Sequence, residues 1–239
     1  MLEKTVVFGH RGYPAQFPEN SLAGFAYALA HHVDGLEFDV HLTKDQVPVI
    51  MHDERINRTS DGTGRITDYT LAELRQFHLA HGEVIPTLAE FLDLVGDHDV
   101  QLNLEFKTDK IQYPGIEALV LGMIHQAPLK RRVIFSSFHL PTLKTCQQLA
   151  PNEAYCWLTD KPVVNAAAFV ADEHLSGLHL NHYQAGVPVA ERIWTVDRPE
   201  LAKQLFQQHV AGIFTDDFVT MTALRDATVT GDKVHRRVG

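Results

Sequence analysis

A closed (β/α)8 barrel is the fold class that the sequence predicts. The chain has 239 residues, 45% of them hydrophobic, and short apolar runs alternate with helical patterns along its whole length without a linker-like stretch. Strand–helix alternation is typical of a parallel sheet, and barrels of this kind usually contain about 250 residues. We therefore expect a single domain over residues 1–239, with the sheet closed into a barrel.

The elements alternate in order along the chain. Candidate strands cover 5–9, 35–40, 47–52, 100–106, 133–136, 154–158, 177–180, 192–196 and 212–215, and candidate helices cover 21–31, 71–77, 87–95, 116–126, 140–149, 163–171 and 199–208. Asn20-Ser21 and Pro199-Glu200 are typical helix start signals. No G-x-G-x-x-G turn follows the first strand, which disfavours an open dinucleotide-binding sheet.

Two segments depart from this alternation. Residues 182–192 are short and interrupted by Gly186 and Pro188, so we expect the sixth helix of the barrel to be missing or reduced to a turn. Residues 229–239 are polar and basic at their end, and we predict that they form a mobile tail.

Composition excludes several classes of partner. The formal net charge is −9 with no basic stripe, which argues against nucleic-acid binding through phosphate neutralisation. No apolar run approaches the roughly 20 residues that span a bilayer, and the first residues do not contain a signal-peptide core. We expect a cytoplasmic protein without stable membrane association; homo-oligomerisation stays open.

Acidic side chains occupy one face of two predicted strands. Glu37 and Asp39 alternate with apolar neighbours, and Glu105 and Lys107 follow the same pattern two candidate strands later. Both faces of a parallel sheet are normally buried, so these carboxylates require partners. A single Glu-x-Asp is more often an ordinary salt-bridged pair, but two such strands indicate a hard-cation site that suits Mg²⁺ or Ca²⁺, with Mn²⁺ also open.

Two of the fifteen histidines follow predicted strands. His10-Arg11 ends the first strand and His52-Asp53 ends the short strand after Asp39. The carboxyl ends of barrel strands form the active face, and imidazole titrates near neutral pH, so both are candidates for acid–base catalysis. Arg11 suits a phosphate oxygen. An ordinary surface or core role is the default for the other histidines, while His179 and His182 are left undecided.

The motifs together resemble one family. They are His10-Arg-Gly, Pro18-Glu-Asn-Ser21, Glu37-x-Asp39, His52-Asp and Glu105-x-Lys107, with Arg58-Thr-Ser, His179-Leu-Asn, Trp194-Thr-Val and Gly212-Ile-Phe-Thr-Asp216 in support. In order and spacing they are similar to the glycerophosphodiester phosphodiesterase family, and most of all to its short bacterial cytosolic members. The resemblance covers almost the whole chain and implies a TIM barrel with a small insertion, about residues 53–86, over the pocket.

The resemblance also implies roles for individual residues. Glu37, Asp39 and Glu105 match the family's ligands of one divalent cation, and His10 and His52 match its acid–base pair. The substrate-binding positions that it implies are Arg11, Asn20, Lys107 and Trp194, although barrel packing is nearly as good an interpretation of Trp194.

The chemistry implied is hydrolysis of a small glycerophosphodiester to glycerol 3-phosphate and an alcohol. The cation lowers the pKa of the glycerol 2-hydroxyl, one histidine accepts its proton, and the other protonates the leaving alcohol. Water then opens the cyclic phosphate with the roles reversed. We favour His10 as the base and His52 as the acid.

Two other functions are weighed against this one. A phospholipase-type or lysophospholipase D relative on the same barrel would cleave lysolipids and would need an apolar rim. A degenerate barrel that only binds a metal or phosphate would not need a matched acid–base pair, so the five residues retained argue against it.

Overall fold

Nine strands and eight α-helices make up residues 4–235, which the computed structural model of the protein describes. The strands are β1 (Val6–Gly9), β2 (Gly35–Leu42), β3 (Pro48–Ile50), β4 (Gln101–Phe106), β5 (Ile134–Ser137), β6 (Ala154–Thr159), β7 (Gly177–Leu180), β8 (Glu191–Ile193) and β9 (Gly212–Thr215). The helices are α1 (Leu22–Ala30), α2 (Leu71–Leu74), α3 (Leu88–Val95), α4 (Ile116–Gln126), α5 (Leu140–Leu149), α6 (Ala166–Asp172), α7 (Pro199–Gln207) and α8 (Phe218–His235).

Eight of the strands form a closed parallel barrel. Their order is β1-β9-β8-β7-β6-β5-β4-β2, and β1 also pairs with β2, which closes the ring. All of these pairings are parallel. Gly35 lies at the closure, where an added Cβ would meet the ring of Phe8 at 2.4 Å. The predicted (β/α)8 barrel is confirmed.

The one strand outside the barrel ring is β3, which pairs with β2 in the antiparallel direction. The end of β2 extends beyond the barrel, and β3 returns along it, with Leu42 opposite Pro48 and Val40 opposite Ile50. The Met51 amide then donates to the Asp39 carbonyl oxygen at 3.1 Å. The chain therefore comes back to the carboxyl end of the barrel immediately before His52.

Helices cover the outside of the barrel, and one large apolar core lies between the two layers. The helix starts are fixed by side chains: the Ser21 hydroxyl accepts from the Gly24 amide, and Thr87 and Glu90 form a capping box at α3. Arg225 of α8 is buried and donates to the Thr5 carbonyl oxygen and to Asp34. This contact attaches the last helix to the start of the barrel.

The sixth barrel helix is absent, as the sequence predicts. Between β7 and β8, a stretch that is fully described, the chain forms turns and irregular structure. The side-chain amide of Gln184 exchanges hydrogen bonds with the Val163 backbone, and Val187 and Val189 pack on the core in place of a helix. Gly177 allows close approach, because a Cβ there would lie 2.3 Å from the Ala190 carbonyl oxygen.

Residues 53–86 lie between β3 and α3 and include two short 3₁₀ turns and α2. They form a second small apolar core together with the adjoining part of β3, made by Val49, Met51, Ile56, Ile66, Leu74, Leu79 and Ile85. The segment is therefore packed around its own apolar core, separate from the core of the barrel. Its limits as a family insertion stay a prediction.

The carboxyl-terminal helix ends at His235, so residues 229–235 have a helical backbone. Residues 236–239 lie outside the described part of the chain, and the predicted mobility of 229–239 stays a prediction. Within residues 4–235, the helices are too short or too polar for any of them to traverse a lipid bilayer.

Candidate active site

Three carboxylates meet at the centre of the barrel. Glu37 and Asp39 point inward from β2, and Glu105 of β4 lies directly opposite Asp39 in the register of the two strands. One oxygen from each lies within 4.8 Å of the others, and all three side chains are buried. Strand alternation turns the acids inward, and direct pairing of β2 with β4 brings them together.

The carboxylates are held by polar neighbours. The Asn20 side-chain amide donates to Asp39 at 2.9 Å, the Arg11 backbone amide donates to Glu37 at 2.9 Å, and Lys107 donates to Glu105 at 2.8 Å. The other carboxylate oxygen of Asp39, Oδ1, is buried and accepts no hydrogen bond. A buried carboxylate oxygen without a donor is an open ligand position.

The three buried acids differ in pKa. Desolvation and the neighbouring carboxylates raise the pKa of Glu37 well above its ordinary value and raise that of Glu105 to about 7. Burial also opposes ionisation of Asp39, but the charges of Lys107 and Arg11 outweigh it and lower the pKa of Asp39. In the absence of a cation, the cluster therefore retains protons that a divalent ion would displace.

The loop after β1 adopts an uncommon backbone conformation. Arg11 and Asn20 have φ angles of 53° and 55°, in the left-handed region that residues other than glycine rarely adopt. The Asn20 amide donates to the Arg11 carbonyl oxygen at 2.8 Å, which holds the two strained residues together. Backbone strain of this kind concentrates at functional sites, and here it places two side chains against Asp39.

Each candidate catalytic histidine has its own carboxylate. Nδ1 of His10 lies 2.7 Å from Asp216 Oδ1, and Nδ1 of His52 lies 2.6 Å from Asp53 Oδ1. An ionised carboxylate only accepts hydrogen bonds, so Nδ1 carries the proton in both rings. Nε2 of each ring is then left for a reacting group; that of His10 lies 4.0 Å from Glu37.

Three further residues support the histidines, and the sequence analysis assigned none of them a role. His41 is buried, and its burial lowers its pKa to about 4, so it is neutral at ordinary pH. Its Nε2 donates to the His52 carbonyl oxygen at 3.1 Å, and the Tyr113 hydroxyl donates to its Nδ1 at 2.8 Å. Asp197 accepts from the Asp216 backbone amide at 2.8 Å and so fixes the loop that orients His10.

The site opens into a pocket with two chemically different sides. A cavity of about 300 Å³ is lined on one side by charged groups that include His10, Arg11 and His52. The other side is apolar and includes Phe138 and Trp194, whose rings meet edge to face with centroids 5.6 Å apart. Such a pocket suits a small anionic group attached to a short carbon chain. A second cavity, about 620 Å³, lies at the opposite end of the strands and contains none of these residues.

All nine residues singled out in the sequence lie at or beside this pocket. Asn20 and Lys107 contact the acid cluster, and Trp194 forms part of the apolar wall. His179, left undecided, is fully buried at the pocket, and neither of its ring nitrogens has a hydrogen-bond partner. His182 is exposed and contacts Asn181.

The fold and the site together are those of a barrel hydrolase of phosphate esters, and comparison with known proteins specifies the family. The sequence model of the glycerophosphoryl diester phosphodiesterase family matches residues 10–220. The chain therefore belongs to this family and is an enzyme that hydrolyses glycerophosphodiesters.

Individual relatives agree with this assignment. A glycerophosphodiester phosphodiesterase of Caldanaerobacter subterraneus subsp. tengcongensis is 34% identical over 237 residues, covering 92% of this chain and 98% of the relative. One of Bacillus altitudinis is 34% identical over 231 residues, covering 89% of this chain and 94% of the relative. The structure of an Oleispira antarctica phosphodiesterase in complex with the product sn-glycerol-3-phosphate is 27% identical, with a TM-score of 0.85 over 93% of this chain and 97% of that chain.

Proposed function

We propose that the enzyme hydrolyses glycerophosphodiesters to glycerol 3-phosphate and an alcohol, with one divalent cation and with His10 and His52 as the acid–base pair. One observation carries the proposal: two histidines, each oriented by its own carboxylate, line a single pocket with a buried cluster of three carboxylates. The product named for the Oleispira antarctica relative supports glycerol 3-phosphate as the product here.

The acid cluster fits a hard cation. Glu37, Asp39 and Glu105 offer only oxygen atoms, and one such atom from each lies within 4.8 Å of the others. Asp39 Oδ1 accepts no hydrogen bond, and Lys107 Nζ lies 3.6 Å from it. Mg²⁺, Ca²⁺ and Mn²⁺ all accept such ligands. When bound, the cation supplies positive charge that offsets the phosphate charge and lowers the pKa of a nearby hydroxyl.

The side chains divide the remaining work. Arg11 and Lys107 hold phosphate oxygens, and Trp194 packs against the carbon chain of the glycerol. Nε2 of His10 accepts the proton of the glycerol 2-hydroxyl as that oxygen bonds to phosphorus. His52 enters this step as the imidazolium, with a proton on each ring nitrogen, and gives the one on Nε2 to the departing alcohol oxygen. Water then opens the cyclic phosphate while the histidines exchange roles, so the net reaction consumes one water.

A phospholipase-type activity on the same barrel is the less favoured function. Among the described residues, the exposed large hydrophobic side chains are scattered singly over different elements: Leu119 on α4, Leu149 on α5, Val164 before α6 and Val219 on α8. A lipid-directed enzyme would be expected to group such side chains around its pocket.

The test measures release of the head-group alcohol, choline or ethanolamine, after chelation and after adding back each cation separately. This product is common to all three substrates, whereas cleavage of lysophosphatidylcholine leaves an acylated glycerol phosphate in place of glycerol 3-phosphate. The substrates are glycerophosphocholine, glycerophosphoethanolamine and lysophosphatidylcholine. We expect chelation to abolish turnover, at least one cation to restore it, and the two glycerophosphodiesters to be preferred. Full activity in the chelated enzyme would contradict the metal requirement, and preference for lysophosphatidylcholine would contradict the substrate class.

Cation binding is expected to stabilise the protein more at pH 8 than at pH 6. The pKa of Glu105 rises from its ordinary 4.5 to about 7 on folding, so between these values the folded protein binds more protons than the unfolded chain. The stability of the metal-free protein then falls as the pH rises through this range. A bound cation replaces the proton on Glu105, so the ionised carboxylate no longer lowers the stability of the folded protein.

Differential scanning calorimetry of the enzyme at both pH values, with chelator and with excess cation, checks this prediction. The increase in Tm on cation addition should be larger at pH 8. Equal increases at the two pH values would show that Glu105 does not exchange a proton for the ion.

A further inference from the structure

Arg58, in the segment above the pocket, makes two forked contacts with carboxylates. Its Nε and Nη2 donate to Asp53 at 2.7 and 3.1 Å, and its Nη1 and Nη2 donate to Glu19 at 2.8 and 2.7 Å. Each carboxylate is thus gripped by two nitrogens of one planar group. This geometry fixes the orientation of a carboxylate in a way that a single contact does not.

Each of the two carboxylates also contacts a different residue of the pocket. Asp53 Oδ1 lies 2.6 Å from Nδ1 of His52, and Glu19 Oε1 accepts from Nη1 of Arg11 at 3.0 Å. A continuous chain of charge-assisted contacts therefore runs from His52 to Arg11, with Arg58 at its centre. Arg58 and Glu19 are 39 residues apart in sequence, so the contact also joins the loop after β1 to the segment after β3.

Both carboxylates in this series of contacts are held in the ionised form that pairs with Arg58. Burial opposes ionisation of Asp53, but hydrogen bonds from Arg58 and His52 outweigh it and lower its pKa; Arg58 and Arg11 lower that of Glu19 in the same way. Arg58 itself is 48% exposed, and exposed ion pairs add little to stability. A contribution to the free energy of unfolding is therefore a poor account of this arrangement.

Orientation of His52 is a better account. The His52 backbone is already fixed by the hydrogen bond from His41 to its carbonyl oxygen, so the remaining freedom is rotation of the side chain. Asp53 limits that rotation by its contact with Nδ1. Without Arg58, Asp53 would be free to turn towards water and release the ring.

We infer that Arg58 is a positioning residue that holds His52, through Asp53, in the orientation required to protonate the leaving alcohol. This inference rests on the proposed function, since it assigns His52 the role of general acid. It extends that function to a residue outside the pocket that touches no reacting atom.

The test compares two substrates that differ in their need for an acid. An alkyl leaving group such as choline must be protonated, whereas 4-nitrophenolate leaves without a proton. Mutating a residue that orients a metal ligand from outside the site typically costs about 10–100-fold, and we expect an effect of the same size here. Arg58→Gln should therefore lower the single-turnover rate constant for alcohol release by about 10–100-fold on glycerophosphocholine and by less than about threefold on glycerol 4-nitrophenyl phosphate. Single turnover isolates the first step, because His52 acts as the base in the second step whichever group has departed. Arg58→Lys should show a similar selective loss, because an ammonium cannot grip two carboxylates in forks.

Arg55→Ala is the matched control, since it removes an exposed arginine from the same segment that has no side-chain contact with His52, Asp53 or Glu19. It should retain the wild-type rate constant on both substrates. Equal losses on the two substrates in Arg58→Gln, or full activity in Arg58→Lys, would overturn the inference.

A second measurement separates failure of this inference from failure of the proposed function. The ¹⁵N chemical shifts of His52 report its tautomer without requiring turnover. At a pH at which the ring is neutral, we expect the proton on Nδ1 in the wild type and a mixture of tautomers in Arg58→Gln; unchanged shifts would overturn the positioning role. Absence of hydrolysis by the wild type, with the shifts changed as expected, would instead refute the proposed function and leave the positioning role standing.

Discussion

Replacing Asp39 by asparagine is expected to lower turnover by about 10²–10³-fold, the usual effect of removing a group that stabilises developing charge. Asp39 is 1% exposed and accepts a hydrogen bond from the Asn20 side-chain amide. Nζ of Lys107 and Nε of Arg11 each lie 3.6 Å from one of its carboxylate oxygens. Asparagine preserves the volume but removes the charge that a divalent cation requires. Its side chain also offers one oxygen instead of two.

Cation affinity and turnover of Asp39→Asn are measured on the same preparation, by titration calorimetry and by glycerol 3-phosphate release. Glu200→Gln, which neutralises an exposed acid in the first turn of α7, is the control and should change neither quantity. Wild-type cation affinity in Asp39→Asn would remove Asp39 from the metal site, and the drop in turnover would then need another cause.

The two histidines are expected to differ in how their loss depends on the leaving group. General acid catalysis contributes about 10²–10⁴-fold, so the single-turnover rate constant of alcohol release in His52→Ala should fall by about this much on glycerophosphocholine and by little on glycerol 4-nitrophenyl phosphate. His10→Ala should lose activity on both substrates, because the glycerol 2-hydroxyl must be deprotonated whichever group departs. The pair of variants therefore assigns the acid and the base.

His182→Ala provides the comparison for these variants, because His182 is an exposed histidine whose ring contacts only Asn181 among the described residues. It should behave as the wild type on both substrates. Near wild-type turnover of His52→Ala on glycerophosphocholine would contradict its role as the acid. Selective loss in His10→Ala would show that the two roles are reversed.

The acid cluster could be predicted from sequence because its cause is local. Glu37 and Asp39 alternate with apolar residues in a strand that is buried throughout, and Glu105 lies in a strand of the same kind. Period-two alternation fixes the face on which each carboxylate lies, and closure of the barrel turns that face inward. The pairing of β2 with β4, which sets Glu105 opposite Asp39, is the one part that alternation does not supply.

The position of His52 was predicted correctly, but by incomplete reasoning. It was placed at the active face as the end of a barrel strand, whereas β3 runs antiparallel along the outer end of β2 and returns to the barrel. The short spacing between Asp39 and His52 allows such a hairpin, yet the strand pattern alone does not distinguish it from a parallel strand.

The distant residues that orient the histidines could not be predicted, in contrast to Asp53, which is adjacent to His52 in the sequence. Asp216 lies 206 positions from His10, and Tyr113 lies 72 positions from His41. Such contacts depend on which strands become neighbours when the ring closes, and a single sequence contains no periodicity that reports this. Arg58 and Asp216 were visible as members of motifs, but only the structure shows what they touch.

Closure of the barrel by its first and last strands has a consequence for how the enzyme matures. His10 ends β1, whereas its partner Asp216 follows β9, and the His10 amide donates to the Thr215 carbonyl oxygen at 2.9 Å. A chain emerging from the ribosome thus contains Glu37, Asp39 and Glu105 once β4 is made, but the carboxylate that contacts His10 follows only after β9. Under the proposed mechanism, His10 is therefore oriented for proton transfer only after the chain has been synthesised as far as Asp216.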